Sequence, residues 1–137
     1  MDGRTITYIG RNYPLTKHDN NANIKIHIFD EDIMRKARFT DYREGYWYFC
    51  KDLRPLAHGI SFNLSIKKDD PTEWRIDVLD EAFCQPYDYQ SMIDREMWDH
   101  ENFDGSFHWR VDEMVVLIME HLVRLGVISG WKKGDYI

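Results

Sequence analysis

Strand signals dominate the first 80 residues, several of them runs with an apolar residue at every second position. Ile24, Ile26 and Ile28 are separated by Lys25 and His27, the period of a half-buried strand. Tyr46 to Cys50 is a dense aromatic run that reads as a further strand. Phe62, Leu64 and Ile66 alternate with Ser61, Asn63, Ser65 and Lys67, and Trp74, Ile76 and Val78 alternate with Arg75 and Asp77. The turn residues Asp69-Asp70-Pro71-Thr72 lie between these two runs, so the pattern predicts a hairpin with one apolar face. Nearer the start, Thr5 to Ile9 and Tyr13 to Thr16 flank Gly10-Arg11-Asn12 as a second hairpin. Pro14 places its strand at a sheet edge, because proline has no N–H for the ladder. Lys17 to Asn23 is polar and reads as a loop. The stretch Met34-Arg35-Lys36-Ala37-Arg38 fits either one helical turn or a basic loop.

The period then changes. Pro86 and Asp88 can open a short helix through Trp98, with Met92, Ile93 and Met97 as its apolar stripe. Asn102 to Ser106 interrupts the pattern and contains Gly105. From Phe107 to Leu125, apolar residues at 111, 114, 115, 118, 122 and 125 fall on one helical face, with Ser106 as a candidate cap. Gly126 followed by Val127 and Ile128 is the signature of a Schellman-type stop. A sheet with one apolar face must bury it, and the apolar helix is the natural cover. The expectation is a single α+β domain over 1–137: a mostly antiparallel sheet of four to six strands from the N-terminal 80 or so residues, covered by two C-terminal helices.

Composition narrows the class. At 137 residues, 43% apolar and 31% charged, with 8 Gly, 4 Pro and 2 Cys, the chain is neither collagen-like, disordered nor disulfide-stapled. The longest near-continuous apolar run, Met114 to Met119, is far short of the roughly 20 residues a bilayer requires. Aromatic residues make up 15%, and each buried ring removes about 150–250 Å² from water. Met1-Asp2-Gly3-Arg4 shows neither the basic nor the apolar region of a signal peptide, so a cytoplasmic location is expected. Cys50 and Cys84 are expected to be buried thiols, with a bridge between them left open.

Charge changes the picture more. Residues 1–68 carry 12 Lys/Arg and 8 Asp/Glu, whereas residues 69–137 carry 6 and 16. Between Asp69 and Asp104 there are 12 acids against Arg75 and Arg95 alone. A block of carboxylates on rigid elements can imitate a phosphate track, occupy a basic cleft on a partner and speed encounter by steering. The expected partner-binding residues are Asp69, Asp70, Asp80, Glu81, Asp88, Asp94, Glu96, Asp99 and Glu101. The same acids can instead complement the chain's own basic half.

Catalytic signatures are sparse. The chain has no GxxxxGK[ST] or GxGxxG phosphate loop, no GxSxG elbow and no HExxH pair. Asp77 lies on a strand, but no Glu-x-Lys follows it to complete a nuclease-type metal set. The richest polar cluster is His100, Glu101, Asp104 and His108, ringed by Trp98, Phe103, Phe107 and Trp109. Imidazole and carboxylate donors beside apolar walls suit a metal-dependent hydrolase; the plainer alternative is an acidic loop with its aromatics in the core. Glu113 and Glu120 admit an acid/base pair or a solvated helix face, and Cys84 a nucleophile or an inert thiol. Arg35, Lys36 and Arg38 precede Trp47 in a basic and aromatic arrangement that single-stranded nucleic-acid binders use. The net charge of −6 argues against that use.

Three stretches carry a resemblance: Ile76 to Gln90, Gly126 to Gly130 and Gly134 to Ile137. In them the chain resembles small uncharacterised proteins of Gram-positive bacteria and their phages. The resemblance implies a mobile-element accessory protein of the kind that inhibits host or defence machinery, and it brings no catalytic residues. Tyr87 and Tyr89, inside the first stretch, either pack into the fold or face a partner. The combined expectation is a non-enzymatic acidic interaction protein without cofactor, directed at a basic, nucleic-acid-processing protein. A metal-dependent hydrolase and a single-stranded nucleic-acid binder are the alternatives.

Overall fold

The structure, a computed structural model, describes residues 5–8, 11–14, 20–82, 85–87, 89 and 106–137. In chain order the described elements are β1 (Thr5–Tyr8), β2 (Arg11–Pro14), β3 (Lys25–Ile26), α1 (Glu31–Lys36), β4 (Tyr46–Asp52), β5 (Ile60–Lys67), β6 (Asp70–Asp80), β7 (Gln85–Pro86), α2 (Ser106–Leu125) and β8 (Ile128–Ser129). The fold is α+β. Its largest described sheet has four antiparallel strands in the order β4-β5-β6-β7, and β1-β2 and β3-β8 form two separate antiparallel pairs.

The alternation read from the sequence is the alternation of burial. Trp47 and Phe49 on β4, Phe62, Leu64 and Ile66 on β5, and Ile76 and Val78 on β6 all lie in one buried cluster. In register, Phe49 faces Leu64 and Leu64 faces Ile76, so the apolar rows run straight across the sheet. The same cluster includes Val111, Val115, Ile118, Met119 and Leu122, whose spacing puts them on one face of α2. Leu125, expected on that face, is 38% exposed where the helix ends.

Several boundaries differ from those the pattern suggested. The first hairpin pairs Thr5 with Pro14 and Tyr8 with Arg11, so its second strand begins two residues before Tyr13. The β5–β6 turn is tighter than Asp69 to Thr72. Lys67 pairs with Asp70, and a register shift after Ile66 absorbs the extra residues. The ambiguous stretch is a helix, α1. Asp30 caps it by accepting the Ile33 N–H at 3.0 Å, with Glu31 and Asp32 in the first turn and Arg35 and Lys36 in the last. Ser106 is the first residue of α2 rather than its cap. Strands also occur beyond residue 80, at β7 and β8. Of the expected helix from Asp88 to Trp98, only Tyr89 is described, and it is helical.

The helices α1 and α2 end in the same motif with different residues. At the end of α2, Gly126 (φ +82°) donates to the Val123 carbonyl at 3.0 Å and Val127 to Leu122 at 3.1 Å. At the end of α1, Arg38 donates to Arg35 and Phe39 to Met34, both at 3.0 Å. These are two Schellman stops, but the second holds an arginine at φ +72°, a backbone region where a side chain is crowded.

The polar segment before β3 is more than a loop. The Asn20 side chain donates to the Ile76 carbonyl at 2.9 Å and accepts the Ile76 N–H at 3.1 Å, taking the place of a strand partner on β6. Asn21 reaches the last two residues, with its backbone N–H on the Ile137 carbonyl and its side chain on the Tyr136 carbonyl.

Candidate functional site

Of the nine acids expected to bind a partner, Asp69, Asp70, Asp80 and Glu81 are described. Asp88, Asp94, Glu96, Asp99 and Glu101 lie outside the described residues. The four form two groups at opposite ends of β6, separated by about 30 Å at the usual rise per strand residue. At the β5–β6 turn, the Asp69 side chain is 81% exposed, with Lys67 Nζ 4.0 Å away. Glu73, absent from the expected set, joins this group because the bulge brings it to 3.8 Å from the same lysine. Asp70 accepts from the Thr72 hydroxyl at 2.5 Å and the Thr72 N–H at 3.1 Å, and these bonds hold its carboxyl below the usual range. At the far end, Asp80 accepts the Ala82 N–H at 3.1 Å and Glu81 accepts from the Ser61 hydroxyl at 2.7 Å. Of these four, Asp69 is therefore the acid most available to a partner, while Asp70 and Asp80 hold their own turns and Glu81 is tied to β5 through Ser61.

Of the metal candidates only His108 is described; His100, Glu101 and Asp104 lie outside the described residues. His108 is buried on α2, and its Nδ1 shares a 2.9 Å hydrogen bond with the Tyr87 hydroxyl. Burial lowers its pKa, against a smaller opposing effect of Asp112, so the neutral ring is favoured. One turn on, the Tyr89 hydroxyl donates to the Asp112 carboxylate. Burial, followed by this carboxylate, pushes the Tyr89 phenol far above its ordinary range. Tyr87 and Tyr89 thus face α2, and two tyrosines spaced by one residue meet a His and an Asp spaced by four. The pair of bonds clamps the end of β7 to the helix. The sequence held both halves of this match, but they lie about 20 residues apart in the chain and share no motif. Among the described residues, no three His, Cys, Asp or Glu side chains stand close enough to share a metal.

The basic and aromatic arrangement is corrected residue by residue. Trp47 is 4% exposed and belongs to the core, so its ring offers no platform for a base. Arg35 lies 5.3 Å and Lys68 4.1 Å from the centre of that ring. Both cations are bonded to Asp41, at 3.0 and 2.9 Å, and Arg35 also to Glu31 at 2.8 Å. Lys68 and then Arg35 hold the Asp41 carboxyl below its usual range. Of the four residues, Arg35 and Trp47 serve this internal cluster, whereas Lys36 and Arg38 are exposed. Among the described residues, exposed aromatic surface lies instead on Trp109, 61% exposed, and on Tyr42, which is 81% exposed and stacks on Tyr48 at 4.5 Å.

Cys50 is an exposed residue with a free thiol, not a buried one, because even-numbered positions of β4 point away from the core. Local desolvation, and then Glu81 and Asp52, push its pKa up and away from the reactive thiolate. Cys84 lies outside the described residues. Glu113 is exposed and Glu120 half-buried on α2. No described helix is long and apolar enough to cross a membrane.

No protein-family model matches the chain, and no curated protein matches it in sequence. In structure it is similar to a DUF1831 family protein from Lactobacillus plantarum, with a TM-score of 0.55 and 11% identity. The similarity covers 77% of this chain and 82% of the other. At that identity the likeness concerns the fold alone, and it agrees with the α+β architecture described above.

Proposed function

We propose that this protein works without catalysis, as a cytoplasmic interaction protein whose acidic segment docks on a basic, nucleic-acid-binding surface of another protein and blocks it. One observation carries the reading: 12 acids against 2 arginines between Asp69 and Asp104, with the first of them presented on the exposed turn of a paired hairpin. A stiff turn loses little freedom on docking, and clustered carboxylates raise the rate of encounter with a basic partner. The metal-dependent hydrolase has no comparable support, since His108 is engaged with Tyr87.

The test reverses Asp69, Asp94, Glu96 and Glu101 to lysine and leaves Asp70, Asp80 and Glu81 with their local bonds. Wild type is expected to retain a basic protein from nuclease-treated lysate at low salt and release it at high salt. The variant, folded by circular dichroism, should retain none. Equal capture by the folded variant would refute the reading.

A further inference from the structure

A groove of about 570 Å³ runs between β4 and α2, within the range of small-molecule sites. Its apolar side is built by Phe49, Met114, Leu117 and Ile118. Leu117 is 50% exposed and presents its apolar side chain to the groove. Three cationic or basic side chains, Arg38, Lys51 and His121, complete the lining with Cys50, and among the described residues no acid contributes to it. That is a local excess of positive charge in a chain of net charge −6. Among the described residues none of the three has an ion pair or side-chain hydrogen bond, whereas Arg35, Arg54, Lys67, Lys68 and Arg75 are each paired with a carboxylate.

Arg38 supplies a second, independent observation. It occupies the left-handed position of the α1 stop, at φ +72°. The equivalent position of α2 holds Gly126. Glycine is the residue this geometry favours, and a strained non-glycine residue at a concave site points to a use for its side chain. Here the side chain lines the groove.

We infer that the groove binds an anionic amphiphile: a carboxylate carried on an unbranched apolar chain, of the medium-chain fatty-acid class. The chain would lie against Phe49, Met114 and Leu117, with the carboxylate met by Arg38, Lys51 and His121. Met114 suits such a role because its unbranched thioether adapts to an irregular ligand surface. The groove lies on β4 and α2 rather than on the acidic turns of β6, so this inference stands independently of the proposed partner.

Sodium decanoate is the probe, titrated by calorimetry below its micelle concentration, with methionine-methyl NMR to locate it. Saturable one-to-one binding and a shift of the Met114 methyl are expected, with that signal assigned by Met114→Leu. Decanol, with the same chain and no charge, should bind at least tenfold more weakly. Arg38→Gly and Lys51→Glu should each weaken decanoate several-fold, and the double variant at least tenfold. Arg38 is exposed, and circular dichroism checks that Arg38→Gly is folded, so its loss of binding is read only from the folded variant. Absence of saturation, equal binding of decanol, or unchanged affinity in the folded double variant would each overturn the inference.

Discussion

Arg38 allows a direct test of how the fold treats its own strain. The substitution is Arg38→Gly at the stop of α1, where the N–H groups of Arg38 and Phe39 close the last turn on Arg35 and Met34. A left-handed conformation costs a side-chain-bearing residue about 1–2 kcal/mol. Glycine removes that cost but adds freedom to the unfolded chain, which returns about 0.4–1 kcal/mol. The balance favours glycine by roughly 0.5–1 kcal/mol. Unfolding entropy near 2.1 cal/mol/K per residue gives about 0.3 kcal/mol/K for a chain of 137 residues. The midpoint should therefore rise by about 2–4 °C.

The assay is thermal and urea unfolding followed by circular dichroism without ligand, and Arg38→Ala is the control. Alanine keeps the Cβ and the strain while losing the guanidinium, so it should show none of the gain. If glycine stabilises and alanine does not, the effect belongs to the backbone. Equal midpoints for the two variants, or a loss of stability in Arg38→Gly, would refute the reasoning. The second result would mean that Arg38 stabilises the fold through contacts that outweigh its strained backbone.

Three further outcomes are expected. Gly130 sits at φ +80°, and a Cβ there would meet the Asn23 carbonyl oxygen at 2.0 Å. Gly130→Ala should thus cost more than about 3 kcal/mol in urea unfolding, since a backbone atom cannot yield as a side chain can. Asn20→Ala leaves the Ile76 N–H and carbonyl without their side-chain partner. It should cost about 1–3 kcal/mol and speed hydrogen exchange at the Ile76 amide. Burial holds the His108 pKa below its ordinary 6.5, so the unfolded chain takes up this proton more readily than the folded one. Its contribution is complete above about pH 6.5 and is lost progressively as pH falls towards the folded value, by at most about 1.4 kcal/mol per pH unit. Midpoints of wild type and His108→Gln at pH 8 and 5.5 should show a smaller acid loss in the variant; equal losses would count against a buried neutral His108.

What was legible in the sequence was what a periodic pattern can encode. Phe62, Leu64 and Ile66 could only be a strand with one buried face, and Val111 to Leu122 only a helix with one, so their assembly into a sheet covered by a helix followed. Local chemistry also carried well, as Gly126 shows. Pairings between distant segments were illegible. Asn20 looks like a loop residue until Ile76 is beside it, and Tyr87 and Tyr89 have no assigned direction until His108 and Asp112 supply one. Trp47 misled for the opposite reason. Cations next to it in sequence suggested a shared exposed surface, but strand alternation turned its ring inward and drew Arg35 and Lys68 around it through Asp41.

The same reasoning separates charge density along the chain from the placement of charges in the fold. The acids of 69–104 that the structure describes are dispersed along β6, because an eleven-residue strand separates its ends by the width of a small domain. Two of the four also hold their own turns, and Glu81 is tied to Ser61 on β5. The basic residues behave in reverse. Arg38, Lys51 and His121 lie far apart in sequence and form no run, yet three separate elements bring them to one groove. A count along the chain favours the acids as the place where this protein meets its ligands, whereas proximity in the fold favours the groove. The two readings make separable demands. Charge reversal on the acidic segment should leave decanoate binding intact, and the Arg38→Gly, Lys51→Glu variant should still capture a basic protein. If either variant abolished both activities while remaining folded, the two sites would have to be one, and the spacing along β6 makes that arrangement the hardest to reconcile with this structure.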